Sequence, residues 1–321
     1  MMRGSAAPAA AAIVIAAVAL AGCKTLHTSQ MTMDTTQEDF DQLWDYGQPA
    51  ESEARFRAEL ARSPAGSEAH AQLLTQIART HSLRRDFDVA HELLDQVAAG
   101  LDAGAPKIRV RYELERGRTF NSAGDKSRAK ASFIAAWEHA SAAGLDFYAI
   151  DAAHMMALVT PPAEQHVWNL KALALTERTL DARAKKWLVP LYNNIGWTYH
   201  DQHDYAAALA MFEMALARAE IRGRPEPLRV AKWTVARCLR SMGRFDEALR
   251  RQLALRDDPS ATSANDGYVF EEIGENLLAL GRSAEAQASF ARAHTLLKDD
   301  GHLPANEPAR LLRLREHAGG Q

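Results

Sequence analysis

The stretch His200-Asp201-Gln202-His203 sets two imidazoles three residues apart beside a carboxylate, a grouping able to hold a divalent cation. It falls where two helical patterns meet, and turns attract polar residues without any ligand, so it is read as a turn and no metal is expected. No other spacing carries reaction chemistry. The chain lacks a G-x-S-x-G elbow, a phosphate-cradling G-x4-G-K, an H-E-x-x-H pair and cysteines at metal spacing. The expectation is a protein that is not an enzyme and needs no cofactor. Its two cysteines, Cys23 and Cys238, stand far apart in unlike surroundings. Cys238, mid-helix between Ala236 and Leu239, reads as a small buried hydrophobe.

The elements around these residues read as helices. Hydrophobic residues make up 47% of the 321 and charged ones 25%, Ala-rich helix formers alternate with short turn signals, and period-two runs of Val, Ile or Thr are scarce. A net charge of -3, from 38 basic and 41 acidic residues, gives no broad positive field and argues against nucleic acid as a partner.

Sliding the chain against itself shows a repeat of 38–40 residues. The clearest copy has Tyr192, Ile195, Gly196 and Tyr199, then Ala208, Phe212 and Ala215. A second has Phe270, Ile273, Gly274 and Leu277, then Ala286, Phe290 and Ala293. Weaker copies hold Gly117, Phe120, Ala129 and Phe133; Ala236, Leu239 and Ala248; and Leu74, Ile77, Ala78, Ala90 and Leu94. A degraded copy spans Asp146 to Thr179, split by Thr160-Pro161-Pro162, and a half-seen one has Phe40, Leu43 and Trp44, then Phe56 and Leu60. Small residues at the glycine and alanine positions let two helices cross closely, and the aromatic fills the groove beside them.

This pattern resembles the tetratricopeptide repeat, W-x2-L-G-x2-Y followed by A-x3-F-x2-A, over residues 38–318. The resemblance implies an all-α, right-handed superhelical solenoid of about seven helical hairpins. It also implies a non-enzymatic scaffold that binds a protein or peptide in a concave groove lined by first helices. Carried onto this sequence, that groove takes Gln72, Thr75, Gln76 and Arg79, then Arg111, Glu115 and Arg118. Next come Asn193, Asn194, Trp197 and His200, then Trp233, Thr234, Arg237 and Arg240, and last the acidic Glu271, Glu272 and Glu275. Asn193, Asn194, Trp197 and Arg237 lead as peptide contacts. The two-carboxylate clamp of Lys and Asn is missing, so binding of chaperone tails is not implied.

Residues 1–23 carry Arg3, an apolar stretch from Ala9 to Leu20, and then Ala21 and Gly22, the layout of a secretory signal. The ending Leu20-Ala21-Gly22-Cys23 resembles the lipobox of bacterial lipoprotein precursors. That resemblance implies lipidation of Cys23, a flexible tether over 24–37 with a reach of about 20 Å, and an address on the periplasmic face of the outer membrane. The alternative is a cytosolic regulator started at Met31 or Met33, binding a signalling peptide or a transcriptional partner.

Overall fold

The computed structural model describes residues 40–101, 105–258, 266–299 and 303–319. The expected signal peptide, Cys23 and the tether lie outside the described residues. Among the described residues the regular elements are helices, with no strand. They divide into two compact units, one ending at Val159 and the other beginning at Thr160.

The first unit holds a 3-10 turn at Phe40–Leu43, α1 (Pro49–Leu60), α2 (Glu68–Leu83), α3 (Phe87–Ala99), α4 (Pro106–Ser122), α5 (Lys126–Ala142) and α6 (Asp146–Val159). The second holds α7 (Pro162–Arg178), a 3-10 turn at Ala184–Trp187, α8 (Leu188–Asp201) and α9 (Tyr205–Arg222). After these follow α10 (Pro225–Ser241), α11 (Phe245–Arg256), α12 (Gly267–Ala279), α13 (Ser283–Leu297), α14 (Leu303–Asn306) and α15 (Pro308–His317). Within each unit consecutive long helices pack on one another, α1 to α6 in the first and α7 to α13 in the second, as the repeat pattern predicts. The degraded copy is divided: α6 closes the first unit and α7 opens the second. Pro161 sits extended between them at φ -59, ψ 158, and proline cannot donate the bond that would continue α6.

Local chemistry sets the helix ends. Asp125, Asp204 and Ser67 each accept a hydrogen bond from the backbone N–H three residues on. Proline opens α1, α4, α7, α10 and α15, where its missing N–H costs nothing. Seven residues past the small first-helix residue the chain turns left-handed, at Gly124 (φ 90), Gly243 (φ 75) and Gly281 (φ 75). Two hairpins place side chains there instead, Arg85 at φ 65 and His203 at φ 62. His203 therefore stands at an obligatory turn position.

The motif residues meet as their types require. A Cβ built on Gly117 would lie 2.5 Å from the Phe133 ring, on Gly196 2.5 Å from Phe212, and on Gly274 2.9 Å from Phe290. Only glycine admits the ring that close. All three rings are buried, as are Ala129, Ala208 and Ala286 beside them. Tyr199 is half-buried, edge-on to His166 of α7 at 5.3 Å. In the hairpin of α10 and α11 the ring position, four residues after Ala248, holds Gln252. Its amide is fully buried, with neither polar atom hydrogen-bonded. Replacing Gln252 by leucine removes an unsatisfied buried amide and should raise stability by about 1–2 kcal/mol. A urea midpoint at or below the parent's would refute this account.

The ends of the array differ from the hairpin pattern. Before α1 the described residues begin with the short turn Phe40–Leu43, followed by Trp44 and Tyr46. After α13 comes α15, an unpaired helix that repeat counting missed. Its Leu314, together with Leu303 of α14, is fully buried against the apolar residues of α12 and α13, and His317 stacks on Phe290 at 4.8 Å.

Candidate ligand-binding groove

In the first unit the predicted groove positions of α2 and α4 come together with Tyr148 and Asp151 of α6, which were not predicted, as a buried polar network. Arg118 donates to both carboxylate oxygens of Asp151 at 2.6 Å and to Glu115 at 2.5 Å, while Arg79 lies 3.8 Å from Glu115. Arg111 donates to the Tyr148 hydroxyl at 2.7 Å and pairs with Asp41 at 3.6 Å. Burial works against the Arg118 charge, but Asp151 and Glu115 outweigh it and hold its pKa above the ordinary value. Arg79 and Arg118, expected as ligand contacts, are thus already engaged by carboxylates of neighbouring helices.

The second unit has a different surface. Asn193 and Trp197 are four residues apart on α8, on one face of the helix. Trp197 meets His200 at 5.0 Å, Phe212 at 5.2 Å and Trp233 of α10 at 6.3 Å between ring centroids. The Trp233 indole donates to the Tyr268 carbonyl at 3.4 Å. Asn193 is 4% exposed, and neither atom of its amide has a hydrogen-bond partner. Asn194 is half-buried. This leaves an aromatic shelf beside amide groups with bonding capacity in hand, chemistry suited to a peptide backbone and an apolar side chain.

The arginines of α10 face a neighbour rather than open solvent. Arg240 forms a bidentate pair with Glu272 of α12 at 2.7 and 2.9 Å, and Arg237 reaches the same carboxylate at 3.0 Å. Glu271 is held in turn by Arg310 of α15 at 2.6–2.8 Å, and Glu275 pairs with Arg313. The acidic end expected to orient a ligand is therefore matched by the chain's own arginines. Sequence reasoning missed Ser241, whose hydroxyl accepts from Arg237 at 2.6 Å and lies 2.8 Å from His200 Nε2. The two imidazoles of the candidate cation set have separate partners, since His203 bonds the Tyr205 hydroxyl at 2.8 Å. Among the described residues no three metal-ligating side chains gather. Cys238 is fully buried, which pushes its thiol up to about 11.

Burial, reinforced by the charges of Arg237 and Arg240, lowers His200 from 6.5 to about 4. His154 in the first unit is lowered to about 4, chiefly by burial. A histidine whose folded pKa lies below its unfolded value takes up protons on unfolding. Its contribution is complete above pH 6.5 and is lost as pH falls towards about 4. Stability should decline through that window before most carboxylates titrate, and a His200→Gln variant should show a shallower decline. Urea midpoints against pH measure it; parallel slopes for the two proteins would exclude a neutral buried His200.

The fold these helices define is that of tetratricopeptide-like repeats. The profile of the tetratricopeptide repeat matches residues 191–221, spanning most of α8 and α9. No curated protein matches the sequence. Among solved structures, the apo form of RapI superposes with a TM-score of 0.63 at 11% identity, over 84% of this chain and 76% of that one. The apo quorum sensor NprR from B. thuringiensis gives 0.57 at 14% identity, over 86% and 78%. NprR in complex with its cognate peptide NprX gives 0.50 at 15% identity, over 83% and 77%. At these identities the likeness is one of fold. Among the described residues no helix is long and apolar enough to cross a membrane.

Proposed function

We propose that this chain is a non-enzymatic interaction scaffold that holds a peptide segment of a partner protein against α8 and α10, and that Cys23 anchors it by lipid to the cell envelope. The observation that carries the binding half is Asn193: a buried amide with no partner, one helical turn from Trp197. An extended peptide supplies both a carbonyl and an N–H to such an amide while stacking a side chain on the Trp197–Trp233 shelf. The fold shared with NprR, solved with its cognate peptide NprX, supports the same reading. The anchoring half rests on Leu20-Ala21-Gly22-Cys23 after an apolar stretch. Several acyl chains at about 0.8 kcal/mol per buried CH2 make a durable attachment. The likeness to a quorum sensor also favours a second reading, a peptide-sensing cytosolic regulator.

Asn193→Leu separates binding from folding. Removing an unsatisfied amide should leave the fold as stable or more so, while the partner is lost. Photo-crosslinking from α8, followed by mass spectrometry, should yield a peptide adduct with the parent and none with Asn193→Leu. Equal adducts would remove the groove reading. Cys23→Ala should abolish palmitate labelling and membrane fractionation, and unchanged behaviour would leave the cytosolic reading.

A further inference from the structure

The face of α2 and α4 that holds Gln76 and Arg111 already carries a short segment of the same chain. Each later hairpin presents a first helix, 13–17 residues long in α2, α4, α10 and α12. Before α1 the described chain gives the turn at Phe40–Leu43 and a second turn at Tyr46 and Gly47, and α1 packs on α2 as second helices do elsewhere. The side chains of this segment reach past α2 to α4. Trp44 donates its indole N–H to Gln76 Oε1 of α2 at 2.7 Å, stacks on Tyr46 at 4.6 Å and meets Phe56 edge-on at 5.0 Å. Asp41 pairs with Arg111 of α4 at 3.6 Å. Burial raises the Tyr46 phenol to about 12, within the fields of Arg118, Glu115 and Arg79. Ser52 of α1 pins the segment's end, accepting from the Asp45 N–H at 2.8 Å and donating to its carbonyl at 2.9 Å.

Gln76, Arg79, Arg111 and Arg118 are the first-helix positions that the repeat pattern assigns to a ligand. Here Arg111 receives an aspartate and Gln76 an indole N–H from residues 40–46, and the Tyr46 phenol lies within the fields of Arg79 and Arg118. We propose that the α2–α4 face is a recognition site for short acidic-aromatic segments, filled in cis by Phe40–Tyr46. The aspartate supplies charge for Arg111, and the tryptophan supplies apolar surface with one directed N–H. The proposal concerns helices other than the α8–α10 site and stands or falls apart from it.

A cis segment lowers the apparent affinity for the same segment offered in trans by the fraction of time the site is open. The test uses the full chain and a fluorescent synthetic peptide of residues 38–48. In Asp41→Asn/Trp44→Phe, where an aromatic ring is kept but the ion pair and the indole N–H are lost, the peptide should bind about tenfold tighter than to the parent. A peptide with Asp39, Asp41 and Asp45 all replaced by lysine should not compete. Hydrogen exchange of residues 41–47 should speed up in the variant, with α12 and α13 unchanged. In the unaltered chain, excess peptide should speed the same amides, which tests the site even if the variant folds poorly. Equal binding by parent and variant would overturn the proposal. So would a natively helical variant that binds nothing, or a concentration-dependent dimer placing the segment in a second copy.

Discussion

Phe212→Ala should lower the unfolding free energy by about 3–5 kcal/mol, the cost of truncating a fully buried aromatic. The ring lies against Gly196 so closely that a Cβ there would stand 2.5 Å from its edge, and Trp197 meets it at 5.2 Å. Removing it opens the centre of the best-formed hairpin and loosens the support of Trp197. Gly196→Ala tests the same contact from the other side, by overpacking, at about 1–3 kcal/mol. Urea denaturation with an unchanged m-value measures both. A loss below about 1 kcal/mol for Phe212→Ala would mean that the hairpin collapses onto the gap, and the ring would not be its keystone.

Glu272→Ala should cost about 3 kcal/mol. Glu272 is 2% exposed and its carboxylate is shared by Arg237 and Arg240, so its loss leaves Arg237 without its ion pair and Arg240 with only the longer 3.8 Å contact to Glu275. Breaking one partner of a buried pair costs about 3–5 kcal/mol, and the lower end applies because both arginines keep about a fifth of their side-chain surface in water. A triple variant with Arg237→Leu and Arg240→Leu should recover much of the loss, since apolar replacement of a whole buried ionic group is often neutral. Failure to recover would point to packing by Glu272 rather than charge. Equilibrium denaturation of the single and triple variants decides between them.

Much of the fold was legible because the repeat leaves its marks on residue types that have one physical use. Gly196, Gly274 and Gly117 stand where no side chain fits, and Phe212, Phe290 and Phe133 fill the space left open. Less was legible at the candidate site. The resemblance predicted which face Arg79, Arg118, Arg237 and Arg240 occupy, but not that carboxylates one repeat away hold them. That signal lay in the sequence as opposite charges spaced about one repeat apart, Arg118 with Asp151 and Arg240 with Glu272. Comparing polar positions between consecutive copies would have found it; matching each copy to the apolar motif did not. Ser241 was missed for a different reason, since a lone serine in the last turn of a helix carries no pattern. Phe40, Leu43 and Trp44 have helical spacing, and the described residues there form a brief 3-10 turn, with Ser52 bonded to the Asp45 backbone just beyond it. The helix α15 hides as well, for its one fully buried side chain is Leu314, a leucine between Arg313 and Arg315.

That last helix has a bearing on how many molecules stay together. A stack of hairpins has no intrinsic end: the last pair offers the same apolar face that each earlier pair hides under its successor. In this chain α15 covers that face with Leu314 and seats Arg310 and Arg313 on Glu271 and Glu275. Deleting α15 should uncover that face and favour head-to-tail contact between copies, which sedimentation of the shortened chain would measure.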